Sequence, residues 1–389
     1  MNALAELLNL PPADKTARGL THTPGEIAQQ PDTWQSTFEL FKRRNVEIKR
    51  LLAAAGSKPE VFLVGAGTSD YIGQSLVSLL RKAWKCDVAA IPSTDLLTHF
   101  DDLVRPEQRY LWVSFSRSGD SPEGVAVLQN ACRTRPDIQH LVISCNTNGR
   151  MIVEHAGKPQ VLTICLDDSV NDRGLAMTSS FSNMVVFGQC LAHAADPGRY
   201  QPVLGQLVES GKSLLPIAAD CSAALAKEGY SKACFVGSGA LRAVARESAL
   251  KLLELTAGKV LTMSESALGL RHGPMAALDQ DTLFVCFLSD NRKVQEYEQD
   301  LLEEIGNKRL VRSRVVIAGK EISASASLAE HLLAPATPFP AADDYRPPLD
   351  VIFGQLLGLF FSLRWNLRPD CPSPNGAISR VVQNVSIHS

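Results

Sequence analysis

Val61-Phe62-Leu63-Val64-Gly65-Ala66-Gly67 is four apolar residues running into a Gly-x-Gly turn, with a helical pattern from Tyr71 to Trp84 behind it. That is the signature of a buried β-strand turning sharply into a helix. Cys234-Phe235-Val236-Gly237-Ser238-Gly239 repeats the design 172 residues later, followed by a helical pattern from Arg242 to Ala257. The same offset pairs Val88 with Val260, Leu111-Trp112-Val113 with Leu283-Phe284-Val285, and Phe115 with Phe287. Three successive strands in register mark a duplicated unit.

Within the first unit, β-rich runs at 61–65, 87–91, 110–115, 139–144 and 161–166 alternate with helical patterns. Their near-continuous apolarity means both faces are covered, as in a parallel sheet between two helix layers. The expected class is α/β, two copies of a three-layer, flavodoxin-like or Rossmann-like domain. Ligands in such sheets bind at the carboxyl ends of the strands, so motifs there carry functional weight. The expected segments are a leader at 1–50 with a helix over Trp34–Leu52, a first domain at 51–205 and a second at 206–366. A tail at 367–389, irregular and then β-like, would close the active site. Residues 336–348, rich in Pro and Asp, read as an irregular connection before an apolar helix at 349–365.

The 389 residues are 45% hydrophobic and 21% charged with a net charge of -2, which points away from nucleic acid and acidic membrane surfaces. An anionic ligand would have to be attracted by local geometry. The nine cysteines contain no Cys-x-x-Cys pair, and several sit inside apolar runs, as free thiols do in a reducing compartment. No basic segment followed by an apolar core opens the chain. The apolar stretch Val351–Trp365 is shorter than the roughly 20 residues of a membrane span. A cytoplasmic protein is expected. The eight histidines are scattered and form no His-Glu-x-x-His motif, so neither a metal nor a cofactor is expected.

The strand at 110–115 runs into Ser116-Arg117-Ser118-Gly119-Asp120-Ser121-Pro122. Ser121 suits an N-cap and Pro122 a first helical turn. Unpaired N–H groups, a positive dipole end and serine hydroxyls would together cradle a phosphate; the alternative is a capped turn with surface serines. The corresponding place in the second unit holds Leu288-Ser289-Asp290, whose carboxylate would repel phosphate. The asymmetry assigns phosphate to the first unit alone. Gly65-Ala66-Gly67-Thr68-Ser69 lacks the third glycine of a dinucleotide fingerprint, which excludes a nicotinamide site and leaves Thr68 and Ser69 as substrate contacts or helix caps. Glu247, Lys251 and Glu254 lie at i, i+4 and i+7, hence on one helix face. They form either a solvated stripe with an ion pair or part of a site. His272, in Arg271-His272-Gly273-Pro274, sits on a turn fixed by Gly-Pro. A Glu and a His beside a sugar phosphate are what aldose–ketose chemistry needs, one moving a proton between C1 and C2 and the other opening the ring.

With these motifs the chain resembles the tandem sugar-isomerase (SIS) domain family, including the isomerase half of glutamine–fructose-6-phosphate amidotransferase. The likeness is carried by Gly65-Ala66-Gly67-Thr68-Ser69, Ser116-Arg117-Ser118-Gly119, Ala249-Leu250-Lys251-Leu252-Leu253-Glu254 and Leu270-Arg271-His272-Gly273-Pro274. Glu26-Ile27-Ala28-Gln29-Gln30-Pro31 is similar to the segment leading into the family's first SIS domain. The tail, Asp370-Cys371-Pro372-Ser373-Pro374-Asn375-Gly376 and then Arg380-Val381-Val382-Gln383-Asn384, resembles the galactosamine-6-phosphate deaminase/isomerase subfamily, also called tagatose-6-phosphate ketose/aldose isomerase.

The resemblance implies conversion of galactosamine 6-phosphate to tagatose 6-phosphate and ammonia. Thr68, Ser69, Ser116, Arg117, Ser118 and Ser121 would bind the phosphate end. Glu254 would shuttle the proton, His272 would assist ring opening, and Glu247 and Lys251 would line or support the site. It further implies at least a homodimer, with His272 reaching the site of a neighbouring subunit. No glutaminase domain precedes the pair, residue 2 is Asn instead of a nucleophilic Cys, and no Lys follows Lys320. Ammonia release is therefore the expected direction and a Schiff base from the tail is excluded, with Arg380 or His388 as the tail's candidate contacts. Plain hexose-6-phosphate isomerisation, glucosamine-6-phosphate deamination and a non-catalytic sugar-phosphate sensor are the competing readings. The sensor fits poorly, because the leader shows no basic recognition-helix pattern.

Overall fold

The structure, a computed structural model, describes residues 1–321, 328–382 and 385–388. Among the described residues ten strands form two parallel sheets of five. The first contains β1 (Glu60–Gly65), β2 (Val88–Pro92), β3 (Tyr110–Ser116), β4 (Gln139–Ser144) and β5 (Val161–Cys165), in the order β2-β1-β3-β4-β5. The second contains β6 (Lys232–Gly237), β7 (Leu261–Ser266), β8 (Thr282–Phe287), β9 (Ser313–Ile317) and β10 (His331–Leu333), in the order β10-β9-β8-β6-β7. Read from the other edge it is the same order, and β1, β3, β6 and β8 keep the 172-residue offset. All residues of β3 and of β8 are buried, as the unbroken apolar runs require of strands covered on both faces.

The long helices are α1 (Gln30–Ala54), α2 (Thr68–Trp84), α3 (Pro122–Thr134), α4 (Ser179–Leu191), α5 (Gln201–Glu228), α6 (Ala240–Leu255), α7 (Arg292–Asn307) and α8 (Pro347–Arg364). Within the first half, α2 lies against β1 and β2 and packs on α4. Trp34 donates its indole N–H to Ser182 at 2.9 Å, and Phe41 meets Phe187 edge-on at 5.5 Å, which ties α1 to α4. In the second half, α6 lies against β6 and β7, and α8 lies against α6.

The chain divides into two compact units. One comprises Met1–Asp32, Arg173–Thr178 and Pro202–Ile378; the other comprises Thr33–Asp172, Ser179–Gln201 and the tail from Ser379. The leader thus divides at Asp32. Its first part forms the short helices Ala3–Leu8, Pro12–Arg18 and Thr23–Ala28. Asp370 fastens this segment, its carboxylate accepting from the N–H of Thr21 at 2.7 Å and from both the N–H and hydroxyl of Thr23 at 2.8 Å. The β-like end expected of the tail is not found: among the described residues no strand follows α8. Side-chain anchoring replaces a ladder there, with the Arg380 guanidinium donating to the carbonyl of Asp172 at 2.6 Å. Gln383 and Asn384, part of the tail motif, lie outside the described residues. All nine cysteines are free thiols, four of them buried.

The two Gly-x-Gly turns owe their glycines to close approach. A Cβ on Gly65 would stand 2.3 Å from the carbonyl carbon of Ser69, and one on Gly237 would stand 2.4 Å from the carbonyl oxygen of Leu241. Gly67 and Gly239 adopt φ of 56° and 57°, the left-handed region that suits glycine. Gly65→Ala should therefore cost about 2–3 kcal/mol through backbone displacement, read as a lower urea midpoint. Gly205→Ala, inside α5 with nothing within 4 Å of the added methyl, should be neutral or slightly stabilising.

Candidate active site

At the carboxyl end of β3 the chain enters the loop Ser116–Ser121. Ser116, Arg117 and Ser118 are all buried. The hydroxyl of Ser116 accepts from the N–H of Gly119 at 3.0 Å, and that of Ser118 accepts from the N–H of Asp120 at 3.1 Å. An accepting hydroxyl still has a proton to donate. Gly119 sits at φ 66°, reversing the chain so that Ser121 and Pro122 begin α3. Ser121 occupies the N-cap, but its hydroxyl makes no capping bond, so the side chain is not committed to the helix. Thr68 and Ser69, also buried, open α2 at the carboxyl end of the adjacent strand β1.

A second loop braces the first. The amide of Asn146 donates to the carbonyl of Ser118 at 2.8 Å, the N–H of Met151 donates to the carbonyl of Gly119 at 2.9 Å, and the N–H of Arg150 donates to Asp120 at 2.9 Å. Gly149 permits this contact, because a Cβ there would lie 2.4 Å from the Ser118 carbonyl oxygen. Sequence reasoning missed the brace. Its signal was Asn146-Thr147-Asn148-Gly149, a turn-rich stretch at the carboxyl end of β4. The tail reaches the same unit: Arg117 donates to the carbonyl of Arg380 at 2.6 Å, while the Arg380 guanidinium holds the side chain of Asn171 at 2.5 Å. Arg380 is thus engaged by the protein's own chain.

On α6 the solvated-stripe alternative fails. Glu247 and Lys251 are fully buried. The Lys251 ammonium lies 3.4 Å from Glu247 and 2.5 Å from Glu254, whose side chain stays 31% exposed. A buried ammonium bridges two carboxylates, and one of them opens outward, where it can accept a proton from a ligand. His272 follows the turn Gly269–Arg271 and is exposed; Gly273 beside it has φ 121°. Arg271 is anchored to Glu304 at 2.7 Å. The loop Ser116–Ser121 belongs to one compact unit, and the α6 triad and His272 belong to the other.

The second half fills its counterpart of the Ser116–Ser121 loop with its own carboxylates. Ser289, the counterpart of Arg117 at the 172-residue offset, gives its N–H to Glu298 at 2.7 Å and its hydroxyl to Asp343. The N–H of Asp290 goes to Asp343 at 3.0 Å, and the hydroxyl of Ser238 goes to Glu298 at 2.6 Å. The donors of this loop thus face internal carboxylates, and Asp343 and Glu298, not Asp290 alone, bring the negative charge to it.

Comparison with known proteins places this geometry. The chain matches no protein-family model. It is 36% identical over 386 residues, 97% of both chains, to a Streptomyces coelicolor protein that bears the provisional name D-galactosamine-6-phosphate deaminase AgaS. The Escherichia coli protein named D-galactosamine-6-phosphate deaminase AgaS is 32% identical over 373 residues, 95% of this chain and 96% of its own. A crystal structure from Clostridium novyi, provisionally described as a tagatose-6-phosphate ketose/aldose isomerase, superposes with a TM-score of 0.94 at 28% identity, covering 100% of this chain and 99% of its own.

The chain belongs to the AgaS family. The two parallel five-stranded sheets of this AgaS-family chain are SIS-type phosphosugar isomerase domains. Among the described residues no cluster of His, Cys, Asp or Glu could hold a metal ion, and no helix is long and apolar enough to cross a membrane.

Burial pushes the Glu298 carboxyl up to about 7 against the pull of its hydrogen bonds to Ser238 and Ser289. The folded protein then binds an extra proton between the ordinary value of 4.5 and about 7, so Glu298 lowers stability as pH rises through that interval. Such a rise corresponds to roughly 3 kcal/mol. Glu298→Gln, which keeps both contacts feasible, should remove this slope. Thermal melts at pH 5 and 7.5 check it: the melting temperature of the variant should gain on that of the parent at the higher pH.

Proposed function

We propose that this chain converts D-galactosamine 6-phosphate and water to D-tagatose 6-phosphate and ammonia. The phosphate is held by the Ser116–Ser121 loop with Thr68 and Ser69, and the chemistry is done by the residues of α6 with His272. The buried Glu247–Lys251–Glu254 triad carries this reading: it sets a half-open carboxylate on a rigid helix, in a chain whose relatives bear the deaminase name.

The steps balance without a cofactor. His272 assists transfer of the ring-oxygen proton and the sugar opens to its aldehyde. Glu254 takes the proton from C2 and returns it to C1, turning the aldehyde carbon into CH2OH and C2 into an imine. Water adds to C2, the C–N bond breaks, ammonia leaves and the ketone remains. Lys251 holds one oxygen of Glu254 in place, and Glu247 offsets the buried ammonium from the other side. Arg117 and Arg380 connect the phosphate loop to the tail. The exposure of His272 suits a group that serves the site of a second subunit, so the working form is a cytoplasmic homodimer with shared active sites.

Ammonia release from galactosamine 6-phosphate, measured by a coupled dehydrogenase assay, tests the reaction. Tagatose 6-phosphate should appear in equal amount; release only from glucosamine 6-phosphate, or isomerisation without ammonia, would replace the substrate or the reaction. Glu254→Gln should lower kcat at least a thousandfold while calorimetric binding of a sugar phosphate persists. Ser118→Ala should act mainly on KM, raising it about tenfold. His272→Ala and Glu254→Gln proteins, each inactive, should regain activity when unfolded and refolded together; no recovery would argue against a shared site.

A further inference from the structure

Arg346 is fully buried immediately before α8. Its guanidinium donates to the carbonyl of Leu288 at 2.5 Å, beyond β8, and to that of Ile317 at 3.4 Å, at the end of β9. Around it stand three carboxylates: Asp350 at 2.7 Å, Asp290 at 3.3 Å and Asp343 at 3.4 Å. Three acids around one buried base, Asp350 fully buried and Asp290 and Asp343 partly exposed, carry excess negative charge. Ion clusters of this kind contribute little net stability, and apolar replacements of similar volume are often neutral or better. A role in fixing geometry is the attested reason to keep one.

The geometry it fixes is the register of α8 on α6. Gly354 and Gly358 lie one turn apart on the same face of α8. A Cβ on Gly354 would fall 2.2 Å from the hydroxyl of Ser248 and 2.8 Å from its Cα. A Cβ on Gly358 would fall 3.0 Å from the carbonyl oxygen of Lys251. A one-residue slip of α8, about 1.5 Å, would bring Phe353 and Leu357, or Gln355 and Leu359, toward the places the glycines occupy. The backbone that carries Lys251, and with it the carboxylate of Glu254, would have to yield.

We propose that Arg346 is a positioning residue. Clamped by Asp290, Asp343 and Asp350 to the ends of β8 and β9, it sets the register of α8, and α8 in turn sets where α6 presents Lys251 and Glu254. This rests on the reading that the α6 triad performs the proton transfer.

The double variant Arg346→Met/Asp350→Leu exchanges the buried ion pair for apolar side chains. The melting temperature should stay within a few degrees of the parent or rise, KM for the sugar phosphate should stay within twofold, and kcat should fall at least tenfold. Arg346→Lys keeps the charge but not the fork, and should recover part of kcat. If the double variant does not fold, Asp350→Asn gives the same reading, with a kcat loss of a few-fold at unchanged KM. A folded variant with parental kcat overturns the proposal, as does a loss of activity that follows only the loss of folded protein. Glu254→Gln, measured in parallel, separates the two readings. If it is inactive while the Arg346 variants are fully active, the positioning role alone fails; if it is fully active, the α6 reading fails and the positioning role falls with it.

Discussion

An ammonium removed from water must be met by carboxylates, and Lys251, with 1% of its side chain exposed, imposes that condition on everything around α6. Glu247 meets it from inside and Glu254 from the rim. An isolated buried charge would cost several kcal/mol, so the three side chains hold one another in a single arrangement. The close seat of α8 on α6 through Gly354 and Gly358 leaves little room for water or for an alternative helix position. Such rigidity suits the proton transfer proposed for Glu254, which requires the acceptor within hydrogen-bonding distance of the carbon it serves.

The duplication shows how two copies of one architecture can diverge. Both halves deliver a loop and the start of a helix to the carboxyl ends of the same strands, and in both the first turn is closed by a glycine against the helix backbone. The first half braces its loop from behind with Asn146 and Gly149. The second half answers its donors with Glu298 and Asp343. Once a carboxylate of the chain occupies an anion's place, a phosphate gains nothing there and meets like charge. That end of the second sheet anchors α8 through Arg346.

Much of this was legible in the sequence, and the reasons differ from element to element. Val61–Gly67 and Cys234–Gly239 declared two buried strands and their turns because local rules, apolar runs and glycine punctuation, govern them. The strand-to-helix loop at Ser116–Ser121 was legible through Ser121-Pro122, which opens α3 as expected. The state of Glu247 and Lys251 was not, since a charged i, i+4, i+7 pattern reads the same on a solvated face and beneath another helix. Only the packing of α8, a hundred residues further on, decides between them. Asp343 was hidden for the same reason: it lies 54 positions from Ser289 in a stretch that reads as irregular. The leader's helices were missed because they are short, and the start of the third is held by Asp370, almost 350 positions away.

A common thread joins the features the sequence did not display. Each is a charged group of one segment satisfying the polar groups of a distant one: Asp370 for Thr21 and Thr23, Asp343 for Ser289 and Asp290, Arg380 for Asn171 and Asp172. Such contacts have no period and no local composition, so no window of sequence can hold them. They are also what a duplicated fold needs in order to diverge. Strands and turns must be kept in both copies to preserve the sheets, whereas a single carboxylate arriving from a connecting loop can convert a binding loop into an anchor. In this chain the difference between the braced loop after β3 and the carboxylate-filled loop after β8 is made by those arrivals, on two sheets of the same strand order.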